Sequence, residues 1–192
     1  KTPWFEEEIP FTQAAEIGTD KVMNDHSTIG LVVTTDGSIG EIPRANYLEA
    51  EEKTILALKK LQKPFLVLVN SLKPYSEDAR TVAAEIAEKY GVTAMSVNCE
   101  QLKREDIHEI LEKILYEFPI SAMEFYTPKW VEMLPATNRL KIDFVQKIKE
   151  LMKDYSTIRD VLMKPVLVVS DYIKRCKMDS LSLADGIVKV KW

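Results

Sequence analysis

The predicted fold of this chain rests on one stretch, Lys63-Pro64-Phe65-Leu66-Val67-Leu68-Val69-Asn70-Ser71-Leu72-Lys73-Pro74. Its consecutive apolar residues follow a proline and end on an asparagine, which is typical of a short strand buried on both faces within a parallel sheet. In open α/β sheets ligands bind beyond the carboxyl ends of the strands, where this stretch places Asn70, Ser71 and Lys73. Asn70 has two interpretations: it contributes to a binding site, or it merely closes a turn.

Two further strands are predicted on either side of this one in the sequence. Residues 28–35 are apolar and β-branched and lead into an Asp-Gly turn, so they predict a buried strand, and residues 93–97 predict a shorter one. Helical spacing of apolar residues and capping residues, Thr12 among them, predict helices over residues 12–25, 46–61, 76–91 and 104–118. This alternation predicts an α/β fold with three parallel strands joined by right-handed crossovers.

Polar groups follow all three strands at the shared edge of the predicted sheet. The layout resembles the base end of GTPase-type P-loop domains, in which an asparagine after one strand braces a loop and the loop after the last strand completes a purine pocket. We therefore predict a base-binding end and a loop near it. The base end comprises Asn70, Ser71, Lys73, Ser96 and Val97, and the nearby loop contains Thr35 and Asp36.

Lys73 stands where the GTPase motif Asn-Lys-x-Asp has its aspartate. Guanine presents an N1–H and an exocyclic amino group, which a carboxylate accepts as a pair, whereas an ammonium group has only donors. Lys73 therefore cannot select guanine, and adenine or loose selectivity is expected. Asp36 has two interpretations, because it either orients a network near the phosphates or simply forms a good Asp-Gly turn.

The sequence contains no Gly-x-x-x-x-Gly-Lys-Ser/Thr loop. Such a loop supplies the backbone amides that cradle phosphates and the hydroxyl that holds magnesium. No catalytic residue and no metal ligand is therefore assigned among these residues. We expect the chain alone to be inactive as a hydrolase.

Composition and charge exclude several classes of protein. The net charge of -4 with both signs interspersed argues against a nucleic-acid surface, and no apolar run approaches the roughly 18 residues of a membrane span. Cys99 and Cys176 are isolated, so neither a disulfide framework nor a zinc site is predicted. Residues 49–52 are interpreted as part of a solvated helix face. A cytosolic protein is expected.

The character of the sequence changes after Pro119. An aromatic connector containing Phe125, Tyr126 and Trp130 leads into a predicted long helix over residues 138–163. The apolar residues of this helix follow a heptad-like spacing, which predicts packing along another helix. Residues 166–169 predict a short strand or a helix start, and residues 186–192 alternate as a half-buried strand. A second, α+β domain is predicted from a boundary near residues 118–123.

Six blocks of sequence are similar to those of one protein family. The blocks are Lys-Thr-Pro-Trp-Phe-Glu-Glu (1–7), Ala-Ala-Glu-Ile-Gly-Thr (14–19), His-Ser-Thr-Ile-Gly (26–30), Thr-Thr-Asp-Gly-Ser-Ile-Gly (34–40), Glu-Ala-Glu-Glu (49–52) and Tyr-Glu-Phe-Pro (116–119). They resemble the stage IV sporulation protein A family, the spore-coat morphogenetic ATPases of endospore-forming bacteria. The similarity is close over residues 1–119 and looser over residues 120–192.

The resemblance implies that the chain is a fragment of a longer protein. Residues 1–119 would form the C-terminal half of a GTPase-like P-loop NTPase domain, and residues 120–192 would begin an α+β middle domain. The full-length protein would bind and hydrolyse ATP with Mg²⁺, through a phosphate loop and a magnesium aspartate that lie upstream of Lys1.

The resemblance also implies a place and a set of partners. The protein would self-assemble into a polymer that forms the basement layer of the spore coat, in the mother-cell cytoplasm at the forespore surface. A small amphipathic forespore-membrane peptide and a coat-linking protein would bind regions outside these residues. The alternative is a structural self-assembly or interaction module in which these residues have no nucleotide role.

Overall fold

The computed structural model describes residues 10–164, 166, 172 and 176–191. Residue contacts divide the chain into two compact units, residues 1–110 and residues 111–192. The sequence block at residues 1–7, most of the element predicted at residues 166–169, and Trp192 lie outside the described residues.

The first unit contains a three-stranded parallel sheet. Its strands are β1 (Gly30–Thr35), β2 (Phe65–Asn70) and β3 (Ala94–Val97), in the order β1-β2-β3. Asn70 lies between Thr35 of β1 and Val97 of β3 in the register, so the three carboxyl ends meet at one edge. The predicted side-by-side, parallel arrangement is confirmed.

Helices precede, connect and follow these strands, close to where the sequence predicted them. They are α1 (Phe11–Lys21), which continues as a π-helical turn (Val22–His26), α2 (Leu48–Leu61), α3 (Glu77–Tyr90) and α4 (Arg104–Tyr116). Ser76 caps α3, where its hydroxyl oxygen accepts the backbone N–H of Ala79, and Gly91 ends α3 with a φ of 62°. Thr12 does not cap α1 as predicted, because that helix begins at Phe11, directly after Pro10.

A large apolar cluster of the first unit lies on one face of the sheet. Every residue of β2 from Phe65 to Val69 is buried. Val67 and Val69 share one apolar cluster with Val32 of β1, and Ile55 of α2 and Ile86 of α3 complete it. Burial of each such side chain contributes about 1.5–3 kcal/mol to the stability of the folded state. This cluster therefore holds the strand ends in place.

The prediction that the first strand is buried was wrong for one of its faces. Leu31 and Val33 are 50% and 58% exposed, whereas Val32 and Thr34 point to the other face and are buried. β1 is an outer strand of this sheet, and alternate residues of a strand point to opposite faces. Ile107 of α4 is likewise 46% exposed.

Lys63 joins the end of the π-helical turn to the start of β2. Its ammonium group donates to the backbone carbonyl oxygens of Met23, Asn24 and Ser27 at 2.6, 2.7 and 2.7 Å. An ammonium group has three donors, and all three are used here. The last carbonyl groups of a helix lack partners within the helix, so Lys63 stabilises this terminus.

The second unit contains a mixed sheet and short helices. Its elements are β4 (Ala122–Tyr126), α5 (Lys129–Glu132), α6 (Arg139–Asp154), α7 (Ile158–Met163), β5 (Lys177–Ser182) and β6 (Ile187–Lys191). The strand order is β4-β6-β5, with β4 parallel and β5 antiparallel to β6. The strand predicted at residues 186–192 is present as β6. The aromatic connector prediction was wrong at Phe125 and Tyr126, which lie in β4.

The prediction of one helix over residues 138–163 was also wrong, because the chain breaks between α6 and α7. Thr157 forms a capping box with Asp160: the Thr157 hydroxyl accepts the Asp160 N–H, and the Asp160 carboxylate accepts the Thr157 N–H at 2.9 Å. Among the described residues, the seam contributes to a cluster with the sheet of this unit. Leu151 and Val161 share this buried cluster with Val188 and Val190 of β6.

The Asp160 carboxylate makes the stability of this unit dependent on pH. Partial burial raises its pKa, but hydrogen bonds from the N–H and hydroxyl groups of Thr157 and Ser156 outweigh burial and lower the pKa from 3.8 to about 2. Because the folded-state pKa is depressed, the stabilisation is complete above the unfolded value and is lost as the pH falls towards 2. Its size is about 2 kcal/mol.

We expect Asp160→Asn to remove this acid-sensitive contribution. Unfolding of the chain by urea, measured between pH 2 and pH 7, should show a stability difference between wild type and variant that shrinks as the pH falls. Asp154→Asn is the matched control, since Asp154 is an exposed acid at the end of α6. A difference that stays constant across this pH range would contradict the prediction.

Candidate functional site

The carboxyl edge of the sheet brings several of the predicted residues together. The Asn70 side-chain oxygen accepts the backbone N–H of Cys99 at 2.9 Å, so the last residue of β2 braces the loop that follows β3. The backbone N–H of Ser71 donates to the carbonyl oxygen of Val97 at 2.9 Å. Asn70 therefore does more than close a turn, because it joins two loops that come from different strands.

Ser71 is a structural residue at this edge, with 1% of its surface exposed. Its hydroxyl oxygen accepts the backbone N–H of Lys73 at 3.0 Å, and its hydroxyl group helps to lower the pKa of the Asp36 carboxyl group. The side chain shapes the loop after β2 and ties it to the loop after β1. Its burial leaves it no surface for a ligand.

Asp36 anchors the loop after β1. Its carboxylate accepts the backbone N–H of Ser38 at 2.9 Å and the Ser38 hydroxyl at 2.5 Å, and the Ser38 hydroxyl oxygen accepts the backbone N–H of Leu72 at 3.0 Å. Partial burial raises the pKa of Asp36, but the hydrogen bonds from Ser38 and Ser71 more than offset this and hold the pKa below its usual value. Asp36 is thus an ionised acceptor that serves both loops.

Three other predicted residues direct their side chains into the protein. The Thr35 hydroxyl oxygen accepts the backbone N–H of Gly37 at 3.0 Å, and the Ser96 hydroxyl donates to the carbonyl oxygen of Pro74 at 2.6 Å. The Val97 side chain is 2% exposed. These residues hold the loops at the sheet edge in a defined conformation.

A cavity of about 320 Å³ lies between the loop after β2 and the loop after β3. Among the predicted residues, Lys73 lines it with an exposed side chain. Tyr75 and Asp106 also line it, and the Tyr75 hydroxyl donates to the Asp106 carboxylate at 3.1 Å, which raises the pKa of Tyr75. The polar lining further includes Asn98, Gln101 and Lys103.

Asp106, which lines this cavity from α4, was not predicted from the sequence. Asp106 accepts the backbone N–H of Lys103 at 2.9 Å, so a carboxylate at the third residue of the helix closes its first turn. This spacing is a helix-start signal and could have placed Asp106 next to the loop after β3. Nothing local in the sequence pairs it with Tyr75.

A buried ion pair stabilises the same edge of the sheet. The prediction that residues 49–52 are solvated was wrong for Glu51, which is 6% exposed. Its carboxylate accepts two hydrogen bonds from the Arg44 guanidinium at 3.2 and 3.3 Å and one from the Thr34 hydroxyl at 2.6 Å. Arg44 also donates to the carbonyl oxygen of Thr35 at 2.7 Å, which fixes the end of β1.

Helical spacing does contain a signal for the burial of Glu51. Residue 51 precedes Ile55 by four positions and Leu58 by seven, so the three side chains share one face of α2. A carboxylate on the apolar face of a helix needs a partner, because an unpaired buried charge is very unfavourable.

The described residues lack two features, a membrane-spanning helix and a cluster of metal ligands. Within residues 10–164, 166, 172 and 176–191, no helix has the length and apolar character needed to cross a bilayer. The same residues contain no group of three or more His, Cys, Asp or Glu placed to hold a metal ion.

Two family models match consecutive parts of the sequence. The first, described as stage IV sporulation protein A, ATPase domain, matches residues 1–119, and the second, described as the middle domain of the same protein, matches residues 120–192. The chain belongs to the stage IV sporulation protein A family. The family inferred from the sequence blocks is thereby confirmed.

Curated proteins named stage IV sporulation protein A are similar along almost the whole chain. Those of Bacillus anthracis, Bacillus subtilis and Clostridioides difficile are 38%, 37% and 39% identical to it over 191, 190 and 191 residues. Each alignment covers 98% of this chain and 39% of the relative, so the chain spans about two fifths of the length of these relatives. No solved structure matches.

The predicted domain boundary near residues 118–123 stays a prediction. The stage IV sporulation protein A family ranges meet at residues 119 and 120, whereas the two structural units meet at residues 110 and 111. The base-end assignment of Asn70, Ser71, Lys73, Ser96 and Val97 also stays a prediction.

Proposed function

We propose that the full-length protein containing this chain binds and hydrolyses ATP, and that the edge formed by β1, β2 and β3 supplies the base end of its site. The hydrogen bond from the Cys99 N–H to Asn70 carries this proposal, because it joins the two loops that border the cavity. The family description, which names an ATPase domain, and the parallel sheet support residues 1–119 as half of a GTPase-like P-loop domain.

The phosphate end of this site is proposed to lie in sequence outside these residues. The chain contains no Gly-x-x-x-x-Gly-Lys-Ser/Thr loop, which in P-loop proteins holds the phosphates and supplies a magnesium ligand. In this proposal the 192-residue chain alone does not hydrolyse ATP, and Mg²⁺ enters with the phosphates.

Assembly into a spore-coat layer is the cellular part of the proposal. The full-length protein would polymerise in the mother-cell cytoplasm at the forespore surface, and a small amphipathic membrane peptide and a coat-linking protein would bind it there. The sporulation name of the family and of its curated relatives supports this part.

The substitution Asn70→Ala in the full-length protein tests the ATP site. The loop after β3 loses its brace and the Cys99 N–H loses its acceptor, so we expect the affinity for ATP to fall about tenfold or more. Isothermal titration calorimetry with ATP measures this change, and circular dichroism checks that the variant is folded.

Asn46→Ala is the matched control, because Asn46 is an exposed asparagine before α2 and should leave the affinity unchanged. A folded Asn70→Ala protein with wild-type affinity would contradict the role of this edge. A full-length wild-type protein that binds no ATP would contradict the proposed function itself.

A structural interaction module is the second candidate function. On α6, Ile142 and Val145 are 52% and 46% exposed and line a cavity of about 400 Å³ together with Lys141 and Lys149. Exposed apolar side chains grouped in this way are typical of contact surfaces. Assembly of the full-length protein in the absence of any nucleotide would favour this second candidate.

A further inference from the structure

We propose that the outer face of α6 docks an acidic amphipathic helix of another protein. This surface, here called the α6 groove, is the cavity of about 400 Å³ together with Met152, which follows it along the helix. The cavity is lined by Ala136, Lys141, Ile142, Val145, Gln146 and Lys149. The inference goes beyond the proposed ATP site because it involves no nucleotide, and it assigns a partner to the surface named in the second candidate function.

The apolar residues of the α6 groove form a stripe along one side of the helix. Ile142, Val145 and Met152 are 52%, 46% and 53% exposed. Their spacing places them on one helix face, where they extend over about 15 Å of the helix axis. Phe144 and Leu151 are buried on the other side of α6. In the part of the chain that the structure describes, this helix therefore buries one apolar side and leaves a second one exposed.

The α6 groove is concave, because the segment before α6 forms a second wall. The Lys141 ammonium group donates to the backbone carbonyl oxygens of Glu132 and Leu134 at 2.9 and 3.0 Å, which holds this segment against the helix. Ala136, on the same segment, lines the cavity. A side chain of a docked helix fits such a depression, whereas the flat surface of a bilayer does not. The shape therefore favours a helix over a membrane as the occupant.

The charged groups that line the α6 groove are both positive. Lys149 is exposed and has no hydrogen bond or ion pair with the rest of the described chain. Lys141 uses two of its three donors on the carbonyl groups before α6 and keeps one. Among the described residues, no Asp or Glu lines the groove, and the nearby Glu150 already pairs with Lys147 at 2.9 Å. The groove therefore complements a partner that carries carboxylates beside apolar side chains.

An acidic amphipathic helix combines these two features. Apolar anchors at positions i, i+3, i+7 and i+10 of the partner would run along the stripe from Ile142 to Met152, since residues at this spacing share one face. A Glu or Asp one turn from an anchor would reach Lys149. A basic helix would place like charges beside Lys141 and Lys149, and such contacts suppress binding. The apolar anchors provide most of the affinity, and the carboxylates select the partner.

Two labelled synthetic helices that differ only in charge test the inference on the full-length protein. Both peptides carry leucine at positions i, i+3, i+7 and i+10, and one has glutamate where the other has lysine beside these leucines. Fluorescence anisotropy at about 0.15 M salt measures their binding. Wild type should bind the glutamate peptide about tenfold or more tightly than the lysine peptide, because a carboxylate gains a charge-assisted hydrogen bond from a lysine of the groove.

Two variants of the groove and one control make the test specific. Lys149→Glu should reverse the preference, so that the lysine peptide binds more tightly than the glutamate peptide. Val145→Asp puts a charge into the apolar stripe and should weaken binding of the glutamate peptide about tenfold or more. Lys60→Glu makes the same change in net charge as Lys149→Glu on the exposed end of α2 and should leave the preference unchanged. Circular dichroism checks that each variant is folded.

Several results would overturn the inference. Equal binding of the two peptides by wild type, or no binding of the glutamate peptide, would show that the groove does not select an acidic helix. An unchanged preference in Lys149→Glu would place the peptide elsewhere on the protein. If Lys149→Glu instead abolishes assembly of the full-length protein or its binding to phosphatidylglycerol vesicles, with peptide binding retained, the face belongs to a second copy or to a bilayer.

ATP titrations of the same proteins keep this inference apart from the proposed ATP site. Wild type that binds the glutamate peptide but no ATP would contradict the ATP site alone. Wild type that binds ATP but not the glutamate peptide would contradict the α6 groove alone.

Discussion

Replacing Arg44 with methionine is expected to lower the free energy of unfolding of the first unit by about 3–5 kcal/mol. The Glu51 side chain is 2% exposed and would keep the Thr34 hydroxyl but lose both hydrogen bonds from the guanidinium. A buried charge that loses its partner is strongly destabilising. Native-state hydrogen exchange of the β1 and β2 amides measures this loss in the unit concerned.

Two comparisons identify the buried charge as the cause. The double substitution Arg44→Met with Glu51→Gln should recover much of the stability, because it removes the unpaired charge. Lys89→Met breaks an ion pair with Glu52 whose side chains are 58% and 47% exposed, and it should change the same exchange rates little. An equally small effect of Arg44→Met would show that the buried pair contributes nothing.

Replacing Ile55 with alanine should lower the free energy of unfolding by a similar amount, about 3–4 kcal/mol. The Ile55 side chain is fully buried in the cluster that α2 forms with Val32 and Val67 of the sheet. The loss combines the transfer free energy of the removed carbon atoms with the energy of the cavity that remains. Urea unfolding or hydrogen exchange of the β2 amides measures it.

Leu56→Ala is the control for this substitution on the same helix. Leu56 follows Ile55 directly but is 51% exposed, so its truncation should change the free energy of unfolding by no more than about 0.5 kcal/mol. Equal losses at positions 55 and 56 would contradict the placement of the α2 apolar face.

The parallel sheet could be predicted because its signals are local. The uninterrupted apolar run of β2, the capping Ser76 and the terminating Gly91 each report their own element, and helices between strands imply parallel pairing. The exposure of Leu31 and Val33 could not be predicted in the same way. An apolar residue indicates that a strand face can be buried, but it does not identify the element that would bury it.

Some residues at the candidate binding edge could be identified from the sequence, and others could not. Strand ends identified Asn70 and Lys73, because the end of a strand is visible in the pattern. The contact between Tyr75 and Asp106 joins positions 31 residues apart, and no local pattern encodes it. Glu51 differs, because its helical spacing from Ile55 and Leu58 could have placed it on a buried face, although residues 49–52 were predicted to be solvated.

In the second unit, a strong pattern of apolar spacing hid a weaker capping signal. The apolar spacing continues from Phe144 to Leu162 and predicted a single helix, whereas the capping signal at Thr157 and Asp160 starts a new one. A capping box satisfies backbone N–H groups that only a helix start leaves free, so it marks the break. β4 was missed because its residues alternate between exposed and half-buried and include Glu124.

The outer position of β1 has a geometric consequence for the whole sheet. Among the described residues, no strand pairs with the outer edge of β1, and a parallel strand added there would bring its own final loop to the same rim, beside Asp36. The cavity bordered by Lys73 lies towards the opposite flank, past the tip of β2. A strand added beside β1 would therefore lie on the flank of the sheet away from this cavity.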